Sequence, residues 1–315
     1  MTDGQHIPVG HYMTEIALKS IAKGSFGDYF NNDDAIDSFG KSYDIVWAEA
    51  ENKISANASK PGSAEEKCYK SALGHLKSVI TDIIKHRRNN PFTNGRQLLI
   101  DFILDFDDDQ LVACDALTFM IGGYHTSAYS MTWALYFLAM HTDVQDKLFT
   151  ELSKTLDKNE DMTPDMIERI PYLKQVFDET LRCAVVAPWA ARVNLNADST
   201  LCGYQIRKET PVIHALGVCF RDENIYPLPH KFDPERFSKE NVKTHPPHAF
   251  EPFGFAGKRK CPGYRFAQNE SYIFIARIIR HFEIKMVPEQ VITPVYGLVT
   301  HPDKEIWITI SERMV

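Results

Sequence analysis

Cys261 follows three consecutive basic residues, Lys258, Arg259 and Lys260, and lies between Gly257 and Gly263 in a chain of net charge -7. A cysteine acts as nucleophile or metal ligand only as the thiolate, and neighbouring positive charge lowers its pKa. A helix is expected to begin near Tyr264, and its N-terminal dipole favours an anion. Glycines on both sides allow a tight turn that aims amide hydrogens at the sulfur. The spacing therefore describes either a loop built around a persistent thiolate or a buried structural cysteine. A phosphate loop is excluded, because "GFAGKRK" has too short a glycine spacing for GxxxxGK[ST] and lacks a Ser or Thr after the lysine.

Two further segments could do chemistry. In "ETLR", Glu179 and Arg182 stand at i,i+3, which places them on one helix face within reach of an ion pair. Such a pair occurs by chance on many solvated helices. In "GGYHTS", Gly122-Gly123 interrupts an otherwise apolar helical run directly before His125 and Thr126. Taken alone, this segment reads more readily as a plain buried helix with a packed histidine than as a site.

The elements that must position these residues are mostly helical. Helices are expected from about Gln5 to Lys23 with Gly24 as stop, after a cap at Asn32 or Asp33, and over "EEKCYKSALGHLKSVITDIIKHRR". A long, proline-free helix from about Asp108 to Met140 is apolar on most faces, as a helix in the middle of a fold is. Shorter helices follow after Thr142 or Asp143, at Pro164 and over "PYLKQVFDETLRCA". Then "RVNLNAD", "TLCGYQI" and "TPVIHAL" read as short strands. An irregular stretch runs from Phe220 to Glu251, and a last helix from Tyr264 precedes closing strands "FEIKMVP" and "EIWITISER". Helices first and small sheets last make the class mainly α with minor β, an α+β arrangement.

The acidic balance of 42 acidic against 35 basic residues argues against nucleic acid as a partner. Six cysteines without a CxxC pair read as reduced thiols. No apolar run reaches the ~20 residues of a membrane helix, and "MTDGQHIPVG" does not resemble a signal peptide. By itself, this chain reads as soluble.

The cysteine loop resembles the haem-binding loop of the cytochrome P-450 superfamily, with glycine four before the cysteine, arginine two before and glycine two after. "ETLR" resembles that family's ExxR pair, and "FDPERF" its second-arginine motif, which places Arg236 beside Glu179 and Arg182. Within the superfamily, "HALGVCFRDENIYPLPHKFDPERF" and "YGLVTHPDKEIWITISER" look most like the animal orphan family numbered twenty.

The resemblance covers nearly the whole chain as a single cytochrome P-450 domain over 1–315. By that comparison it corresponds to the C-terminal part of a full member, without counterpart for the anchor, first strands and early helices. It implies a haem-thiolate monooxygenase that uses haem b, dioxygen and a lipophilic small molecule. Cys261 would be the axial iron ligand, within a loop formed by Gly257, Arg259 and Gly263. Arg192 would reach a haem propionate, and Glu179, Arg182 and Arg236 would brace the proximal core. Lys258, Arg259 and Lys260 would face a flavin-containing reductase. Full members sit on the endoplasmic reticulum membrane, although this chain shows no anchor. Two other outcomes stay open: a haem protein of this fold without monooxygenase activity, and a short product that holds no haem.

Two positions depart from the family pattern. The loop phenylalanine belongs seven residues before the cysteine, where Gly254 stands; Phe253 is one too early, and Phe255 is the other substitute. In the family's (A/G)Gx(D/E)T(T/S) motif, His125 occupies the acid's position beside Thr126. Burial should keep a histidine there neutral and slow its delivery of protons.

Overall fold

The computed structural model describes residues 5–30, 32–91, 97–254 and 257–313. Two compact units divide the chain, one of His11–Ala128 and one of Tyr129–Val315 with Met1–Gly10.

The first unit is helical. It holds α1 (Val9–Phe26) from His11 onward, α2 (Asp33–Ile54), α3 (Ala64–Asn89), α4 (Leu99–Ile103) and the first part of α5 (Asp109–Met140). Helix starts follow local chemistry. Asn32 accepts a hydrogen bond from the Asp34 N–H, and Ser63 from the Glu66 N–H. Asp108 likewise takes the Gln110 and Leu111 N–H groups at the start of α5, satisfying donors that no helical carbonyl can reach. Ile36, Phe39 and Tyr43 of α2 and Leu76, Ile80, Ile83 and Ile84 of α3 are buried at helical spacing. Arg87 clamps α3 to α4 through two hydrogen bonds to Asp101, of 2.5 and 2.8 Å. Gly24 does not end α1 as the sequence suggests. The helix continues to Phe26, and the chain turns at Gly27, where φ is +65°.

The second unit holds the rest of α5 and α6 (Thr142–Thr155), α7 (Pro164–Glu168), α8 (Pro171–Ala184), α9 (Leu216–Phe220) and α10 (Tyr264–His281). Its strands are β1 (Ile7–Pro8), β2 (Ala190–Val193), β3 (Ser199–Leu201), β4 (Tyr204–Ile206), β5 (Pro211–His214), β6 (Phe282–Met286), β7 (Pro294–Tyr296), β8 (Thr300–Pro302) and β9 (Trp307–Glu312). All pairings are antiparallel, in the order β1-β9-β6, β2-β5, β3-β4 and β7-β8. Ile7 and Pro8 thus begin as a strand against Ile308 and Trp307, where the apolar spacing alone suggests helix.

Gln145, fully buried in α6, donates to the carbonyls of Leu138 and Ile284 and accepts from the Ile284 N–H. It thereby satisfies one strand's backbone from a helix, as a buried amide must. The expected cap at Thr142 or Asp143 is absent, since His141 takes the cap position without a side-chain bond. Mainly helical units with small antiparallel sheets give the α+β class expected from the sequence.

Candidate functional site

α8 carries the most developed polar cluster. Pro171 opens the helix at its first turn, and Val185 closes it in the left-handed conformation. On its inner face Arg182 donates from Nε to Glu179 Oε2 (2.7 Å) and from Nη2 to Oε1 (2.8 Å), a two-pronged pair with neither side chain accessible to water. Two isolated charges could not be buried so deeply; paired and fully hydrogen-bonded, they can.

The remaining donors are used as well. Arg182 gives Nη1 to the Phe220 carbonyl (2.8 Å) and Nη2 to the Lys231 carbonyl (3.3 Å). Glu179 Oε1 also accepts the Asp233 N–H (2.8 Å), and Arg236 Nε lies 3.4 Å from the same oxygen. Arg236 sits in a short 3-10 turn, Pro234–Phe237, which Asp233 caps, and donates Nη2 to the Leu228 carbonyl. Glu179, Arg182 and Arg236 are therefore brought together. Desolvation of the guanidinium is outweighed by the Glu179 hydrogen bonds together with the Glu179, Cys183 and Tyr226 charges, which hold Arg182 above its ordinary pKa. Cys183, beside this cluster, has its thiol pushed up by burial and by the Glu179 charge. No local sequence signal pointed to Cys183 or to the Phe220 and Lys231 carbonyls.

A backbone bond from the Cys261 N–H to the Phe253 carbonyl (2.9 Å) closes the Cys261 loop. Gly254 makes the intervening turn at φ +76°, a conformation that favours glycine. This explains the displaced phenylalanine: the position seven before the cysteine is given to a left-handed turn, and Phe253 sits where the loop closes. Phe253 faces Tyr264 at 6.3 Å between ring centres. Phe255 lies outside the described residues.

Lys258, Arg259 and Lys260 are exposed, Gly257–Arg259 forms a 3-10 turn, and Lys260 Nζ lies 4.5 Å from the Tyr264 ring centre. Cys261 is exposed as a residue, but desolvation of its sulfur pushes the thiol above its ordinary value. The Gly263 N–H and Lys260 pull the other way and do not prevail. The surrounding protein alone therefore does not hold the standing thiolate that the basic run suggests. A Cβ added to Gly263 would lie 4.0 Å from that sulfur.

Arg192 is exposed on β2, paired with Val212 of β5, and donates to the Ala191 carbonyl. With Thr200, Leu201, Thr210 and Val212 it lines a cavity of about 390 Å³. No described residue of the Cys261 loop lines that cavity.

His125 and Thr126 belong to the first unit. The Thr126 hydroxyl donates to the Gly122 carbonyl, one turn back. His125 is buried, 4.8 Å from Trp47 and 5.2 Å from Tyr43 of α2 and 4.4 Å from Tyr124 by ring centres. Its Nε2 lies 3.2 Å from Asp44 Oδ1. Asp44, 81 residues away in sequence, was not visible as a partner to sequence reasoning.

Among the described residues, no helix is long and apolar enough to cross a membrane, and no three His, Cys, Asp or Glu side chains converge as a metal site.

The sequence matches the family model for cytochrome P450 over residues 2–309. It is 33% identical over 310 residues to cytochrome P450 20A1 of Homo sapiens, covering 98% of this chain and 65% of that protein. The Bos taurus protein of the same name is 32% identical over 312 residues, with 99% of this chain and 66% of that protein covered. Both bear out the resemblance to family twenty, and the chain spans about two thirds of their length. The crystal structure of a cytochrome P450DA heme domain superposes with a TM-score of 0.86 at 24% identity, covering 99% of this chain and 70% of that one. With the Glu179 cluster and the Cys261 loop already in place, these matches leave one assignment: the chain belongs to the cytochrome P450 family, whose members bind haem b.

Proposed function

We propose that this chain is the core of a haem-thiolate monooxygenase that inserts one oxygen atom of dioxygen into a lipophilic small molecule. The observation that carries the reading is Cys261, a sulfur on a tightly closed loop whose protein surroundings keep it a thiol. A cation at the sulfur would reverse that balance, because a coordinating thiol is deprotonated outright. Among the described residues no group of three His, Cys, Asp or Glu side chains forms around it. A metal bound there would bring its other ligands along, as a porphyrin does. The donor chemistry therefore fits haem.

In this reading Cys261 holds the iron, and Gly257, Arg259 and Gly263 shape the loop around the sulfur. Arg192 serves a haem propionate. When bound, the haem iron with its thiolate ligand supplies the activation of dioxygen, one atom going to substrate and the other to water. Arg182 and Arg236 brace the proximal backbone by donating to the carbonyls of Phe220, Lys231 and Leu228, while Glu179 accepts the Asp233 N–H. Thr126 Oγ1 and the His125 imidazole hold and pass protons. Lys258, Arg259 and Lys260 offer an exposed basic face to an electron-donating flavin reductase with an acidic surface. Residence at the endoplasmic reticulum membrane follows the family resemblance.

One observation favours haem binding without efficient oxygenation: His125 stands where the family has an acid. The test is reconstitution of the chain with haem, followed by the carbon monoxide spectrum of the reduced protein and by product analysis with lipophilic substrates. A thiolate-type Soret band with product supports the monooxygenase. Haem without product supports the second reading, and failure to take up haem overturns both.

A further inference from the structure

His125 is buried between Tyr43 and Trp47 of α2 and its own neighbour Tyr124. The Asp44 carboxylate lies 3.2 Å from its Nε2. The two side chains differ sharply in exposure, 7% for His125 and 54% for Asp44. A buried imidazole is thus joined to a carboxylate that water reaches.

We propose that Asp44 is the positioning residue of the His125 proton relay; this rests on the reading of His125 as a proton carrier. An ionised carboxylate only accepts hydrogen bonds, so the nitrogen facing it carries the proton. That fixes the tautomer and the ring orientation, the role a carboxylate plays behind a catalytic histidine. With Nε2 held, Nδ1 is the nitrogen left to take up and give up a proton.

The surrounding groups leave this role to Asp44. Among the described residues packed against His125, the other titratable groups shown are Tyr43 of α2 and Tyr124 of α5. Tyr43 donates its hydroxyl to the Ile121 carbonyl (3.1 Å), and burial holds it well above its ordinary pKa. It remains a neutral wall. The pair also supplies what the motif lacks: the acid beside Thr126 is missing from α5, and a carboxylate from α2 stands against the histidine that replaced it.

The test has two arms. In ¹⁵N-histidine-labelled chain without haem, the His125 Nε2–H signal should be visible and protected from exchange. It should be lost in Asp44→Ala, a change that suits an exposed helix position, and return in Asp44→Glu. In the haem-reconstituted protein, Asp44→Ala should raise peroxide released per reducing equivalent by about twofold or more, since placed acid–base groups contribute on the order of 10²–10⁴-fold in rate. Asp44→Glu should restore coupling, and Asp44→Ala should add nothing in a His125→Phe background. An Nε2–H signal that survives Asp44→Ala overturns the proposal. So does unchanged peroxide in Asp44→Ala when His125→Phe raises it, and there the relay reading stands. Unchanged peroxide in His125→Phe overturns the relay and the proposal together.

Discussion

Arg182 and Glu179, one turn apart in α8, meet through two parallel hydrogen bonds with neither side chain exposed to water. The pair is the hub of its region, because Arg182 also binds the carbonyls of Phe220 and Lys231, while Glu179 takes the Asp233 N–H. Breaking a buried pair strands the surviving charge. Glu179→Ala is expected to lose about 3–5 kcal/mol of stability, read as a lower denaturant midpoint at similar slope. Arg182→Lys should also destabilise, because an ammonium cannot reproduce the fork on Glu179. A Glu179→Ala protein as stable as wild type would mean that the pair contributes nothing.

Cys261 is exposed as a residue, but its thiol is raised by desolvation. In haem-free protein at neutral pH it should react with iodoacetamide more slowly than exposed Cys68, Cys114 and Cys202, and its rate should climb as pH rises, since the thiolate is the nucleophile. Peptide mass spectrometry reads this residue by residue. Cys261→Ser should remove the thiolate-type carbon monoxide band after reconstitution. Fastest labelling at Cys261 at pH 7 would contradict the electrostatic reading, and a retained band the ligand assignment.

Asp178, next to Glu179, has its carboxyl pushed up to about 7 by burial, which the Lys174 charge only partly opposes. The folded protein therefore holds a proton at Asp178 that the unfolded chain releases near pH 4. Stability should fall as pH rises from about 4 to about 7, the sign linkage requires when the native state binds more protons. Asp178→Asn should flatten this part of the profile, gaining on the order of 1–3 kcal/mol at pH 8 relative to wild type and little at pH 4. Parallel urea titrations at both pH values measure it, and equal slopes in the two proteins would contradict the assignment.

The chain's own pattern made much of this legible, and the exceptions share a cause. Asn32, Pro164 and the acidic start of α5 act within a few residues of themselves, so local chemistry marked their helices. Glu179 and Arg182 are one turn apart, and the helix period alone brought them together. What stayed hidden depends on distant segments. Ile7 and Pro8 become a strand only because Ile308 and Trp307 are there to pair with them. Asp44 reaches His125 only once α2 packs on α5. The Cys261 thiol is governed by desolvation, which the basic run before it does not reveal.

Gly122 and Gly123 form the weakest point of α5 by propensity, each costing about 1 kcal/mol against alanine in a helix interior, yet their surroundings differ. A Cβ on Gly123 would fall 2.7 Å from Cδ1 and 2.9 Å from Cγ1 of Ile21, a buried, β-branched side chain with little freedom at χ1. The overpacking term of about 1–3 kcal/mol should outweigh the helix gain, so Gly123→Ala is expected to be neutral or destabilising by up to about 2 kcal/mol. A Cβ on Gly122 meets no described atom within 4 Å. Gly122→Ala also keeps the carbonyl that accepts the Thr126 hydroxyl. It should stabilise the chain by about 0.5–1 kcal/mol, since only propensity changes. On the proposed function this bare stretch of helix beside Thr126 is left open for the reacting molecules, so the same methyl should lower turnover in reconstituted protein. Stability gained at the expense of activity is the expected pattern when a sequence keeps a locally poor residue for function. Thermal melts and product assays on the two alanine variants decide it. Gly122→Ala that gains stability and keeps full turnover would mean that the helix face at Gly122 has no part in the reaction.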